Sequence, residues 1–254
     1  MAVVERHHED GITTLRLNRP EKRNAINWEM TRAIGAELSA AAADEACRCV
    51  VITGNDGHFA AGRDLGEASA NDPLDTILTN DNSWAEIFQI LLRMTKPSVA
   101  VVEGYAVAGG FTLAMGCDFV LAERGAKFGA LEMRGGFPAA VNTAVLSNLL
   151  GPRQSLELLL SAELFDAEHL HRIGLINHLA DGAEALSALA ADTVARLVAL
   201  DPIAVALTKE SHRAMAAMTL TDSLVVGKQL NALLMCSGKV DEAAKIYAAT
   251  KNNG

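Results

Sequence analysis

Aromatic side chains are scarce in this sequence. Phe, Tyr and Trp make up 4% of its 254 residues, so the flat faces on which bases or sugars stack are nearly missing and a base-stacking binder is disfavoured. Basic charge is also short: 22 Lys and Arg stand against 31 Asp and Glu, a formal net charge of −9, and no basic run is present to neutralise phosphates. No apolar stretch reaches the ~18 uncharged residues that a membrane span needs. The opening Met-Ala-Val-Val-Glu-Arg-His-His lacks the apolar centre of a signal peptide. The expectation is a cytoplasmic protein with neither a nucleic-acid nor a membrane partner. The four cysteines, Cys47, Cys49, Cys117 and Cys236, form no Cys-x-x-Cys pair, so they read as reduced, mostly buried thiols rather than a zinc or dithiol site. His169 and His171 are spaced i, i+2 in a predicted helix and point to different faces, so no metal is expected. A Gly-x-Ser-x-Gly elbow for serine-hydrolase chemistry is missing as well.

What is present is an apolar half, 50% of the chain and carried largely by Ala, Leu and Val. That is enough for one large α/β domain without disulfide or metal staples. Val3–His8 and Ile12–Asn18 alternate like strands around Asp10-Gly11, a hairpin signal. Asn27 stands as N-cap before a helix with apolar residues at Met30, Ile34 and Leu38, running to about Ala43. The β-branched run Cys49–Thr53 suits a strand buried on both faces, and Ser98–Glu103 is the next such run, after a helix around Trp84–Met94 and Pro97. Strands alternating with helices predict βα units and a mostly parallel sheet. Asn71–Asn82, rich in Asn and Asp, reads as the one long loop. From about Pro152 helical patterns dominate, at Gln154–Ser161, Ala167–Ile173, Gly182–Leu200, Ile203–Met218, Asp222–Met235 and Lys239–Thr250, with Leu175–Leu179 as a lone strand. Met215, Met218, Leu220 and Leu224 read as core or subunit contacts.

Two glycine-containing turns follow strands, Phe59–Leu65 and Gly104–Leu113, and neither is a Walker or dinucleotide loop. Glycine at such a junction lets backbone approach a ligand, and a helix N-terminus aims free N–H groups at it. Together the turns could bind one developing oxyanion; alternatively both are only tight turns. In Phe128–Pro138, Glu132 sits among apolar and glycine neighbours, a setting suited to a general base. The other reading is a solvated turn Glu paired with Arg134.

Six ordered blocks then carry a resemblance. Asn18-Arg19-Pro20-Glu21-Lys22-Arg23-Asn24-Ala25-Ile26, Ala61-Gly62-Arg63-Asp64-Leu65, Gly104–Gly110, Cys117-Asp118, Phe128–Glu132 and Arg172–Asn177 together resemble the crotonase (enoyl-CoA hydratase/isomerase) superfamily, from about Val4 to Tyr247. The resemblance implies a crotonase-like α/β spiral of repeated ββα units over residues 1–198 and a C-terminal helical oligomerisation region over 199–254, assembled as a homotrimer or a hexamer. It implies an acyl-CoA substrate, with coenzyme A as part of the thioester and no prosthetic group. It also implies an oxyanion hole from the backbone N–H groups of Arg63 and Gly109, and contacts to CoA at Arg23, Ala25 and the turn Asp64-Leu65-Gly66. Asp118 is expected to be structural.

One departure bears on the reaction. Hydratases of the superfamily resemble one another in having two glutamates; the later corresponds to Glu132, and the earlier to Thr112, whose hydroxyl is no base near neutral pH. Adding water needs two proton-handling groups, whereas moving a double bond from C3 to C2 needs one base. Glu132, with Thr112 beside it, therefore points first to an enoyl-CoA isomerase. The alternatives are a hydratase or an enzyme of the hydroxycinnamoyl-CoA hydratase-lyase type, in which a small hydroxyl residue falls at the position of Thr112, and then a non-catalytic acyl-CoA-binding subunit. Leu131 where Pro is usual, Gly66 where Lys is common, one residue fewer between Glu132 and Pro138, and the short Asn-Asn-Gly ending are further departures.

Overall fold

A computed structural model describes residues 2–67, 71–236 and 240. The first compact unit spans Met1–Val205 and the second Ala206–Gly254. The chain opens with strands β1 (Val4–Glu9) and β2 (Ile12–Leu17), an antiparallel hairpin turning at Asp10 and Gly11, both at positive φ. Helix α1 (Trp28–Ala43) follows, and the Asn27 side chain accepts the Met30 amide at 2.8 Å as the N-cap, an interaction that contributes about 1 kcal/mol. After β3 (Cys49–Gly54) comes α2 (Leu74–Arg93), then β4 (Ser98–Val102), β5 (Tyr105–Val107) and α3 (Gly109–Met115). The remainder of the unit is β6 (Phe119–Glu123), β7 (Lys127–Gly129), α4 (Ala140–Leu149), α5 (Pro152–Leu160), β8 (Phe165–Asp166), α6 (Ala167–Arg172), β9 (His178–Ala180), α7 (Ala183–Ala199) and the start of α8 (Pro202–Met215). Most of α8, with α9 (Leu220–Met235) capped by the Thr219 hydroxyl, belongs to the second unit.

Two sheets share the strands. The larger runs in the order β1-β2-β3-β4-β6-β9 and is parallel from β2 onward, while β5, β7 and β8 form the smaller one. The chain visits the large sheet, then the small one, then a helix, and repeats, as β4-β5-α3 and again β6-β7-α4. These are the expected ββα turns. Side chains of the central strands alternate between two buried clusters: Val50, Ile52, Ala100 and Val102 on one face with α1, α2 and α3, and Cys49, Val51, Val99 and Val101 on the other with Leu186 and Val194 of α7. Burial on both faces explains why β3 reads as an uninterrupted β-branched run.

Of the expected loop at Asn71–Asn82, only Asn71–Pro73 stays outside a helix; from Leu74 on it is the first half of α2. Its Asn and Asp residues are indifferent helix formers, but Trp84, Ile87 and Leu91 at helical spacing bury its second half against α1, and packing propagates the helix back to Pro73. The strand expected at Leu175–Leu179 forms only as His178–Ala180. Leu175 and Ile176 are buried outside any ladder, and Asn177 exchanges both bonds with Val120, accepting its amide through Oδ1 at 2.7 Å and donating its own N–H to the Val120 carbonyl. The two-residue β8 was not legible, and Lys239–Thr250 lies outside the described residues apart from position 240. Cys47 and Cys49 are buried, but Cys117 is only partly so and Cys236 is exposed. Met218, Leu220 and Leu224 are likewise exposed rather than core. Among the described residues no helix is long and apolar enough to cross a membrane.

Polar side chains fasten the joints. The Lys96 ammonium donates to the carbonyls of Ala41, Ala42 and Asp44, where the C-terminus of α1 leaves acceptors unpaired. Asp118 Oδ2 accepts from both the amide and the hydroxyl of Ser98, the structural role expected of it. Arg19 reaches the Ala25 carbonyl at 2.6 Å and Asp64 at 3.0 Å, tying the loop after β2 to the turn after β3.

Removing the charged cap by Lys96→Met is expected to cost about 2 kcal/mol, seen as a fall of roughly 4–8 °C in Tm. The hydrogen bond from Arg19, then that from the Gly66 amide, hold the Asp64 carboxyl below the usual carboxylate range. A carboxyl lowered by folding stabilises the native state above its unfolded pKa of ~4 and loses that contribution as pH falls below it. Urea midpoints should therefore drop as acid is added below about pH 4, and Arg19→Met should lower the midpoint at neutral pH while flattening that acid limb.

Candidate active site

The two glycine turns meet. The Ala60 amide donates to the Tyr105 carbonyl at 2.9 Å and the Val107 amide to the Ala60 carbonyl at 3.1 Å, so the turn after β3 is stitched to β5. Contact this close excludes side chains. A Cβ on Gly62, which sits at φ +95°, would lie 2.9 Å from the Ala108 Cβ, and one on Gly110 only 2.4 Å from the Ala60 carbonyl oxygen.

The approach sets two backbone amides beside each other. Arg63 bridges to Ile26 through its neighbours' groups, the Ile26 amide donating to the Gly62 carbonyl and the Asp64 amide to the Ile26 carbonyl. Because successive N–H groups of extended chain alternate in direction, the Arg63 amide points away from that bridge. Gly109 opens α3, where an amide has no carbonyl one turn earlier to meet. A Cβ on Gly109 would stand 3.4 Å from the Arg63 nitrogen. The Arg63 side chain goes elsewhere, over the Trp28 ring at 4.2 Å and to Asp81 at 2.9 Å, so its charge does not crowd the paired amides.

Ala108 holds this corner. Its backbone, at φ 47° and ψ −120°, is in a region L residues rarely occupy, at a cost of order 1–3 kcal/mol. Its amide donates to the Gly129 carbonyl at 2.7 Å, and its own carbonyl receives three donors: the Thr112 amide at 3.0 Å, the Thr112 hydroxyl at 3.1 Å and Asn142 Nδ2 at 3.1 Å. The Thr112 hydroxyl hydrogen is thus committed to its own helix. Asn142 Nδ2 also donates to Glu132 Oε1 at 2.8 Å. Glu132, in a single 3₁₀ turn at Glu132–Gly135, keeps its other oxygen, Oε2, buried and without a partner, as is Asn142 Oδ1. Such orphaned acceptors are uncommon, and each costs about 1–3 kcal/mol. Arg134 does not pair with Glu132; its Nε donates to the Ala162 carbonyl at 2.6 Å.

The residues expected at CoA form a second cluster on the same turns. Arg23 is exposed in left-handed backbone at φ 49°, and its carbonyl accepts the Ala61 amide at 3.0 Å. Arg19 joins Ala25 to Asp64, and Asp64 Oδ1 accepts the Gly66 amide at 3.1 Å, which folds Asp64-Leu65-Gly66 into a tight turn. Two contributors went unassigned in the sequence. Buried Asn24 donates to the carbonyls of Asn55 and His58 and accepts the Arg19 amide, holding the loop from beneath. Asn142 is 1% exposed; it shares the run Ala140–Leu149 with a second amide, Asn148, which is exposed, so nothing in the sequence marked it out. His169 stacks on Phe165 and His171 bonds the Ile176 carbonyl, so each has a packing role.

Known proteins match this architecture over nearly the whole chain. The model of the enoyl-CoA hydratase/isomerase family matches residues 7–253. A putative enoyl-CoA hydratase of Thermus thermophilus is 32% identical over 250 residues, 97% of each chain. A 1,2-epoxyphenylacetyl-CoA isomerase of Escherichia coli is 29% identical over 257 residues, covering 99% of this chain and 97% of the relative. The crystal structure of an enoyl-CoA hydratase from Mycobacterium smegmatis superposes with a TM-score of 0.91 at 26% identity, over 98% of this chain and 96% of that one. With its ββα turns, paired amides and whole-length matches, the chain belongs to the enoyl-CoA hydratase/isomerase family.

Proposed function

We propose that this protein is a Δ3,Δ2-enoyl-CoA isomerase with Glu132 as its single base. The observation that carries the reading is the cluster of Ala108, Thr112, Asn142 and Glu132, which contains one carboxylate with one oxygen held and the other buried and free of partners. Glu132 Oε2 takes a proton from C2 of a 3-enoyl thioester. The C–H electron pair moves into the thioester, and the dienolate oxygen accepts from the Arg63 and Gly109 amides. The same carboxyl then returns the proton at C4, leaving the double bond between C2 and C3. Preorganised donors of this kind contribute several kcal/mol to such a step. Lys22 and Arg23, both exposed on the loop beside Asp64, suit the phosphates of CoA.

A second reading, hydration of a 2-enoyl thioester or the related hydratase-lyase reaction, draws on Thr112: with its hydrogen committed, the hydroxyl can still accept a hydrogen bond from water. The hydratase names of several relatives favour it too. The absence of a carboxylate at position 112 speaks for the isomerase.

Assembly is part of the proposal. Helix α9 exposes Leu220, Leu224 and Leu233, each more than 60% accessible, and such residues on a water-soluble chain suit burial in a homotrimer or hexamer.

Purified protein should convert 3-hexenoyl-CoA to its 2-enoyl isomer and hydrate crotonyl-CoA at least a hundredfold more slowly; rapid hydration would overturn the single-base reading. Glu132→Gln should lower isomerase kcat by roughly a thousandfold with little change in KM, and unaltered turnover would remove Glu132 from the mechanism. Light scattering should give three or six times the chain mass of 26.8 kDa; a single-chain mass at micromolar concentration would refute the assembly.

A further inference from the structure

Asn142 sits where the two halves of this chemistry touch. Its Nδ2 lies 2.8 Å from Glu132 Oε1 and 3.1 Å from the Ala108 carbonyl oxygen. Both partners are acceptors with no hydrogen to give, so the nitrogen must occupy that position and both its hydrogens are committed. The Ala108 carbonyl and the Gly109 amide belong to one planar peptide unit. A donor on that carbonyl fixes the plane in which the Gly109 N–H points, and polarises the unit so that the N–H becomes a better donor. The same side chain thus holds the proposed base and one of the proposed oxyanion donors. Packing alone does not account for it: at 1% exposure an apolar side chain of the same size would fill the space without leaving Oδ1 buried and unpartnered.

We infer that Asn142 is a positioning residue that locks the Glu132 carboxylate to the Ala108–Gly109 peptide, so that proton abstraction and oxyanion stabilisation act from one rigid unit. This rests on the reading of Glu132 as base and of the Gly109 amide as oxyanion donor. Thr112, through its hydroxyl, is a second clamp on the same carbonyl and makes no contact of this kind with Glu132.

The test uses butyryl-CoA in deuterated water, because a saturated thioester can neither isomerise nor take up water and reports only exchange of hydrogen at C2. Asn142→Leu and Asn142→Asp, the second keeping the side-chain shape, are expected to slow exchange about a hundredfold while the half-saturating butyryl-CoA concentration moves less than threefold. The infrared carbonyl band of the bound thioester should shift back toward its position in free solution. Exchange within threefold of wild type in Asn142→Asp would overturn the inference. So would a loss of exchange matched by an equal loss of affinity, or an unmoved carbonyl band. Should wild-type protein exchange no hydrogen at C2, the reading of Glu132 fails, and the carbonyl band then decides the link between Asn142 and the Gly109 amide. Asn142→Asp carries the comparison if Asn142→Leu does not fold.

Discussion

The carbonyl of Ala108 is the point on which the site depends. Three donors converge on it, two from Thr112 and one from Asn142, and the amide of the same residue is taken by Gly129. This surplus of hydrogen bonding holds a backbone conformation that a non-glycine residue seldom adopts. Its effect is to turn the chain sharply out of β5 into α3, so that the first amide of the helix faces the turn after β3. Everything else at the corner follows from that approach: glycine at 62 and 110 because the backbones nearly touch, and the Arg63 amide brought beside Gly109.

Arg63 illustrates how one residue is divided between two tasks. Its amide stands beside Gly109, while its guanidinium spends its charge on Trp28 and Asp81, outside the paired amides. A large cation is therefore compatible with a position at which only the N–H is proposed to act. Arg19 does the complementary work, since one guanidinium spans the Ala25 carbonyl and the Asp64 carboxylate and so keeps the loop after β2 against the turn that carries Arg63. The two loops are separated by α1 and β3 in the chain, and no local rule of sequence joins them.

Family membership sets the chemistry only as far as its class. Relatives at about 30% identity over nearly the whole chain carry both hydratase and isomerase names, so the match does not by itself choose between the reactions. The side chains proposed to set the reaction in this chain are Thr112, whose hydrogen is committed to its own helix, and Glu132, with one oxygen restrained by Asn142 and the other left without a partner. A single restrained carboxylate suits a proton moved within one substrate better than a water added across a double bond.

Local order was readable from the residues themselves. The hairpin at Asp10-Gly11, the Asn27 cap, the doubly buried β3 and the ββα spiral implied by six motif blocks all depend on short-range rules or ordered spacing, which a linear sequence preserves. Where tertiary packing outweighed local preference, the reading failed: most of Asn71–Asn82, from Leu74 on, became helix because Trp84, Ile87 and Leu91 anchor it, and Leu175–Ile176 stayed buried without a ladder. The sequence by itself determined the fold class, the family and the turns that bear Arg63, Gly109 and Glu132. Only the tertiary structure decided which atoms meet, that Glu132 pairs with Asn142 and not Arg134, and that Thr112 turns its hydrogen inward. The reason is that a hydrogen bond depends on direction and distance to within tenths of an ångström, and these exist only once segments far apart in the chain have packed together.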